Sequence, residues 1–187
     1  IKKYLSDKTP YRGLLLYHGL GSGKTCGSIN VAEHIDRKVV LMLPASLKDT
    51  WIGEIKKCGG KKYRLPKNFK KMDEKDKKKE LKKIDKLIEN KYSFVSHNAG
   101  NSAEQLKRLE SQVTIRNNDD LDIIDTSMDS KYVHNKIKEI GSLDNKLLIV
   151  DEVHNLITNI TNPISKNGDE IRKTIMNAKN LKILFLS

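Results

Sequence analysis

The sequence predicts an α/β domain with a mainly parallel sheet and helices on both faces. Five short apolar runs recur along its 187 residues: Gly13 to Tyr17, Val39 to Leu43, Tyr92 to Ser96, Leu147 to Val150 and Lys182 to Leu186. Each is nearly continuous rather than alternating, which is the pattern of a strand covered on both faces. Helical spacings lie between the runs, and strand alternating with helix builds a parallel sheet through crossover connections. A chain of this length buries roughly 70% of its unfolded surface as one domain, so a sizeable core is available.

The elements follow in order. The first strand runs into a glycine-rich loop, His18-Gly-Leu-Gly-Ser-Gly-Lys-Thr25, and a helix is predicted over Thr25 to Asp36. After the second strand, Ser46-Leu-Lys-Asp49 reads as a capping box opening a helix that carries Trp51 and Ile55. From Lys56 to Lys91, Cys58-Gly-Gly60 marks a turn. Leu81, Ile84 and Ile88 then give a helix whose later half packs inward while its lysines stay solvated. Beyond the third strand, Ser102-Ala-Glu-Gln105 is a second capping box, residues 112–126 read as a hairpin or excursion, and Val133, Ile137 and Ile140 share one helical face ending at Gly141. Ile171, Ile175 and Ala178 mark the last helix.

The net charge of +12 is mostly the property of one segment. Lys56 to Lys91 holds sixteen basic residues against six acidic, a local +10, and reads as a Lys-rich helical insertion at about 56–91. Such a segment is either a solvated face or a contact for a polyanion or partner. The two cysteines, Cys26 and Cys58, have no paired spacing. Cys26 is expected as a small buried apolar residue, and a reducing, intracellular compartment is favoured. No apolar stretch approaches the ~20 residues that span a bilayer, so no membrane partner is expected. The chain opens on Ile1-Lys-Lys3 and stops within the run ending at Ser187, which reads as a piece of a longer polypeptide.

Two segments carry chemistry. A strand, a Gly-x-Gly-Lys-Thr turn and a helix place backbone amides and a helix dipole against phosphate oxygens. The predicted nucleotide-binding residues are Gly19, Leu20, Gly21, Ser22, Gly23, Lys24, Thr25 and Cys26. Lys24 is suited to the β- and γ-phosphates and the Thr25 hydroxyl to Mg2+. His18 stands where the strict motif has its first glycine, which narrows the class toward helicase-type ATPases. The second segment, Asp151-Glu-Val-His154, ends a buried strand. Asp151 is expected to hold Mg2+ through a water, and Glu152 to orient and deprotonate the attacking water. His154 is either a structural hydrogen-bonding group or a link between the nucleotide site and Ser187.

With these residues in place the chain resembles the first motor domain of superfamily 2 helicases and translocases of the Asp-Glu-x-His type. Motif I falls on Gly19 to Thr25 and motif II on Asp151 to His154. Leu43-Pro-Ala-Ser-Leu47 with Trp51 is similar to motif Ia of Swi/Snf-like members, and Leu184-Phe-Leu-Ser187 to the start of motif III. The segment Thr9 to Thr25, Phe94-Val-Ser-His-Asn-Ala99 and Val150-Asp-Glu-Val-His-Asn155 are similar to NTPases of large cytoplasmic DNA viruses, namely the poxvirus-type nucleoside triphosphatase I and the early transcription factor small subunit. The resemblance covers most of the chain but neither the Lys-rich segment nor residues 112–126.

The resemblance implies a RecA-like P-loop NTPase domain over 1–187, truncated at both ends. The Ser187 strand should lie between the phosphate-loop and acidic-box strands. ATP and Mg2+ are the implied cofactors, and the implied partners are nucleic acid (DNA before RNA), a second RecA-like domain and a viral transcription complex. Host cytoplasm and virion are the implied locations. Ser46 and His97 would face the nucleic-acid backbone, with a plain helix cap the alternative for Ser46. Trp51 reads as core packing ahead of base stacking. Without a second motor domain the fragment is expected to bind Mg-ATP weakly, hydrolyse little and not translocate. A nucleotide-gated assembly module and an RNA helicase share the same residues and stay open.

Overall fold

The computed structural model describes residues 1–17, 19, 21–96, 142–162 and 164–187. Five strands, β1 (Gly13–Leu16), β2 (Val39–Leu43), β3 (Tyr92–Ser96), β4 (Leu147–Val150) and β5 (Lys182–Leu186), form one sheet in the order β1-β5-β4-β2-β3. Every pairing is parallel, with Leu16 beside Leu186, Val150 beside Phe185 and Met42 beside Val150. The Ser187 strand thus separates the loop-bearing strand from the acidic-box strand, as the resemblance implied. Because all strands run the same way, their carboxyl ends share one edge, where open α/β sheets bind ligands.

Among the described residues, five α-helices cover the two faces: α1 (Lys24–His34), α2 (Lys48–Cys58), α3 (Glu74–Lys91), α4 (Val153–Thr161) and α5 (Lys166–Asn177). Side chains alternate across a strand, and here the alternation sorts the core into two layers. Val39, Leu41, Leu147, Ile149 and Leu184 pack with α1, α2 and α3. Val40, Met42, Leu148, Val150 and Ile183 pack with α4 and α5. Strands β2 and β4 are buried throughout, which is why their sequences carry no polar alternation.

Long-range polar ties fix the outer parts. Arg12 donates to the carbonyls of Ile175 at 2.5 Å and Ala178 at 3.3 Å, setting a cation on the C-terminus of α5. The buried Lys182 Nζ donates to the carbonyls of Thr9 and Tyr11 at 3.3 and 2.7 Å. Glu33 of α1 accepts from the Tyr63 hydroxyl at 3.1 Å and the Tyr92 hydroxyl at 2.6 Å, and pairs with Lys62 at 2.6 Å. Burial first, and the Glu33 carboxylate second, push both phenols above their ordinary range. The Lys-rich segment is thereby anchored through Tyr63, which is 1% exposed. Its helix α3 buries Ile84 and Ile88 and is capped by the Asp73 carboxylate.

Several expectations change. Strand β1 is not covered on both faces, because it is the outer strand of the described sheet, and Leu15 stays 54% exposed. Ser46 does not cap α2: a 3-10 turn over Ala45–Leu47 intervenes, and Leu47 takes the cap position without a side-chain bond. Helix α1 ends at His34, two residues early, because Ile35 turns extended. Leu81 faces solvent, leaving the packing of α3 to its last two turns. Helix α4 was not anticipated. Most consequentially, Cys26 and Cys58 are joined, with Cα atoms 5.5 Å apart across 32 positions, so Cys26 is no free apolar residue. That pairing removes the ground on which a reducing compartment was favoured. The capping box at Ser102, the segment 112–126 and the helix at 133–140 lie outside the described residues.

Candidate active site

The glycine-rich loop leaves the carboxyl end of β1 and enters α1 directly at Lys24. Gly21 and Gly23 have φ of 74° and 80°, a left-handed backbone that side chains with a Cβ adopt at a cost. A Cβ built on either would meet nothing within 4 Å, so backbone angle and not space calls for glycine at both. The Ser22 amide reaches the Gly19 carbonyl at 3.4 Å and the Gly27 amide the Gly23 carbonyl at 2.8 Å, closing the turn onto the helix. Thr25 and Cys26 occupy the first helical turn, both half-buried, and the Thr25 carbonyl accepts from Ser28 Oγ at 2.8 Å. His18 and Leu20 lie outside the described residues.

Lys24 Nζ donates to the Ser187 carbonyl at 3.0 Å. The Ser187 amide in turn donates to the Leu16 carbonyl at 3.1 Å. The loop lysine, the end of β5 and the end of β1 therefore meet at one point, although Lys24 and Ser187 are 163 positions apart. The acidic box sits at the end of the next strand. The Asp151 amide donates to the Met42 carbonyl at 2.9 Å, extending the β2–β4 ladder by one bond. Its carboxylate accepts from the Glu152 amide at 3.0 Å and from Trp51 Nε1 at 2.8 Å.

Glu152 has φ 50° and ψ 51°, left-handed, and stands at the cap position of α4. The strand must turn sharply there, and the turn presents the Glu152 side chain to solvent at 40% exposure. His154 Nδ1 lies 3.4 Å from Glu152 Oε2. The structure therefore brings together Lys24, Ser187, Thr25, Asp151, Glu152 and His154 along one edge of the sheet. Ser46 is exposed on the 3-10 turn after β2, at the same carboxyl edge. His97 lies outside the described residues.

Sequence reasoning missed Trp51 as a partner of Asp151. The signal available was an indole N–H on a buried helical face, which must find an acceptor. It also missed the Cys26–Cys58 link, which ties α1 to α2 beside the loop. The donors present suit a magnesium nucleotide: an open amide-lined turn, a lysine, a threonine hydroxyl at a helix start and a carboxylate at a strand end.

Over residues 1–187 the sequence matches the family model described as "Type III restriction enzyme, res subunit". It is 31% identical over 197 residues to a protein of Acanthamoeba polyphaga mimivirus named "Putative ATP-dependent RNA helicase", covering 100% of this chain and 17% of that one. A second mimivirus protein with the same name is 30% identical over 193 residues, covering 95% of this chain and 28% of the relative. A "Termination factor NPH-I homolog" of African swine fever virus is 32% identical over 180 residues, covering 94% and 20%. The chain thus spans less than a third of the length of each of these relatives.

Proposed function

The chain belongs to the Type III restriction enzyme res subunit family, and from that membership we propose that it is the ATP-hydrolysing first motor domain of a helicase-like protein that acts on nucleic acid. The observation that carries the reading is that the glycine-rich loop with Lys24 follows β1 while Asp151 ends β4, the two strands separated by β5 alone in one parallel sheet. The three strand ends lie side by side at the carboxyl edge of the sheet.

In this reading the amides of Gly19 to Gly23 and the Lys24 amine bind the β- and γ-phosphates of ATP. Thr25 and Asp151 hold Mg2+, which when bound neutralises charge on the transferring phosphoryl group. Glu152 orients a water and takes its proton, and phosphoryl transfer depends on positioning rather than on a covalent intermediate. His154, beside Glu152, is the proposed link between the nucleotide site and Ser187. Ser46 and His97 are the proposed nucleic-acid contacts.

The African swine fever virus name "Termination factor NPH-I homolog" supports a role in viral transcription, with DNA the reading taken from the sequence resemblance, and the mimivirus names support RNA as the second reading. An infected host cytoplasm and the virion are the proposed locations. No helix among the described residues is long and apolar enough to cross a membrane. In the full-length protein, Lys24→Ala is expected to lower ATP turnover about a hundredfold or more. Glu152→Gln is expected to bind nucleotide without turning it over. Unchanged turnover in either variant would sink the mechanism. Stimulation of hydrolysis by DNA and not RNA, with or without strand displacement, separates motor, assembly module and RNA helicase.

A further inference from the structure

Trp51 is the single tryptophan of the chain, and it is 1% exposed on α2. Its Nε1 donates to Asp151 Oδ2 at 2.8 Å across 100 positions of sequence. The other carboxylate oxygen accepts the Glu152 amide at 3.0 Å, and the Asp151 amide is held by Met42. We propose that Trp51 is a positioning residue for metal binding: its indole N–H fixes the orientation in which the Asp151 carboxylate meets magnesium. The inference rests on the reading of Asp151 as a magnesium-holding residue.

Three physical points favour this role over plain packing. An indole N–H is a donor only, so it orients a carboxylate oxygen without offering the metal a rival ligand. It is also uncharged, whereas a lysine or arginine in its place would repel the cation. Finally, a fully buried ring has its rotamer set by packing, so the carboxylate plane inherits the rigidity of the core. The same helix is fastened at its far end, where Cys58 is joined to Cys26, the residue after Thr25. Helix α2 is therefore tied to both proposed magnesium-holding positions, through Trp51 to Asp151 and through Cys58 to the neighbour of Thr25.

The test uses the full-length protein and two replacements that drop the N–H. Trp51→Phe keeps an aromatic body. Replacing Trp51 by β-(3-benzothienyl)alanine keeps the bicyclic shape, with sulfur in place of N–H, and covers the case in which the phenylalanine variant does not fold. A fluorescent ADP analogue is titrated at increasing Mg2+, and separately in EDTA. The Mg2+ concentration that gives the half-maximal gain in affinity is expected to rise about tenfold to a hundredfold, while affinity in EDTA stays within about twofold of wild type. The Mg2+ requirement for ATP hydrolysis should rise in parallel. An unchanged Mg2+ requirement in a folded variant overturns the inference, and so does an equal loss of affinity in EDTA, which would mean general damage to the site. If Lys24→Ala abolishes hydrolysis and the Trp51 variants keep the wild-type Mg2+ requirement, the functional reading stands and this inference alone fails.

Discussion

Glu152 should be replaceable by a residue that makes the protein more stable and inactive. Its φ of 50° and ψ of 51° place it in the left-handed region, where a residue with a Cβ is disfavoured by about 1–2 kcal/mol. The only other described non-glycine residues at positive φ are Asn145 and Asn180, at 57° and 51°. Asparagine is the side chain that tolerates this region, and the chain uses it where the turn is only structural. At the acidic box it carries glutamate instead. Glu152→Asn should relieve part of the penalty. The contact to His154 at 3.4 Å is lost with it, but both side chains are well exposed and such a pair contributes little. The net gain is about 0.5–1 kcal/mol, or roughly 1–4 °C in Tm for a chain of this size. Glu152→Gln is the control, because it removes the charge and leaves the backbone penalty in place. Urea midpoints of the two variants, measured alongside ATP turnover, decide the matter. Both should lose turnover, and only the asparagine variant should gain stability. If Glu152→Asn is no more stable than Glu152→Gln, the penalty is absent and the case for a functional demand at this turn loses its energetic support.

Two further predictions test the packing and the buried polar network. A Cβ on Gly168 would lie 2.2 Å from the Asn159 carbonyl oxygen and 2.7 Å from its carbon, both backbone atoms of the neighbouring helix. Gly168→Ala should therefore cost about 2–3 kcal/mol in urea unfolding, although helix propensity alone would favour alanine by about 1 kcal/mol; a gain in stability would mean that α4 and α5 do not approach as described. The Tyr92 phenol, buried and bonded to Glu33, has a folded pKa raised above the ordinary value of 10.0. Its contribution is then fully present below pH 10 and is lost as pH rises through 10 toward the folded value. Unfolding free energy measured from pH 9 to pH 11 should fall less steeply for Tyr92→Phe, by up to about 1.4 kcal/mol per pH unit above pH 10, and parallel curves would remove Tyr92 from the linkage.

What the sequence made legible follows from how locally each feature is encoded. Strands β2 and β4 could be read to the residue because sheet strands covered on both faces leave an uninterrupted apolar run. Ile84 and Ile88 could be read because two residues four apart share a helical face. The candidate site's groups could be named from the sequence because a phosphate-binding turn and a strand-end acidic pair are each contiguous stretches. Ser46 failed as a helix cap because a capping-box pattern does not reveal a 3-10 turn inserted before the helix. Helix α4 was missed because Val153 to Thr161 is short, β-branched and opened by a left-handed residue, none of which signals a helix. The exposure of Leu15 on β1 depends on which strand lies at the sheet's edge, a property of topology and not of the run itself.

The remaining misses share one cause, and it bears on how the site works. Trp51 meets Asp151 across 100 positions, Cys26 meets Cys58 across 32, and Lys24 meets Ser187 across 163. None of these pairs has a local signature, because each depends on where the sheet delivers strands that are distant in the chain. The motifs name candidate groups, and the parallel ladder β1-β5-β4, with these long-range ties, places them relative to one another. Two of the three run through α2, which belongs to neither motif. Helix α2 is thus linked through Trp51 to Asp151 and through Cys58 to the neighbour of Thr25, the two proposed magnesium-holding positions. Replacements that remove only the indole N–H should move magnesium affinity before they move the fold, since the buried bicyclic ring and Ile55 still supply the packing while the carboxylate loses its fixed orientation.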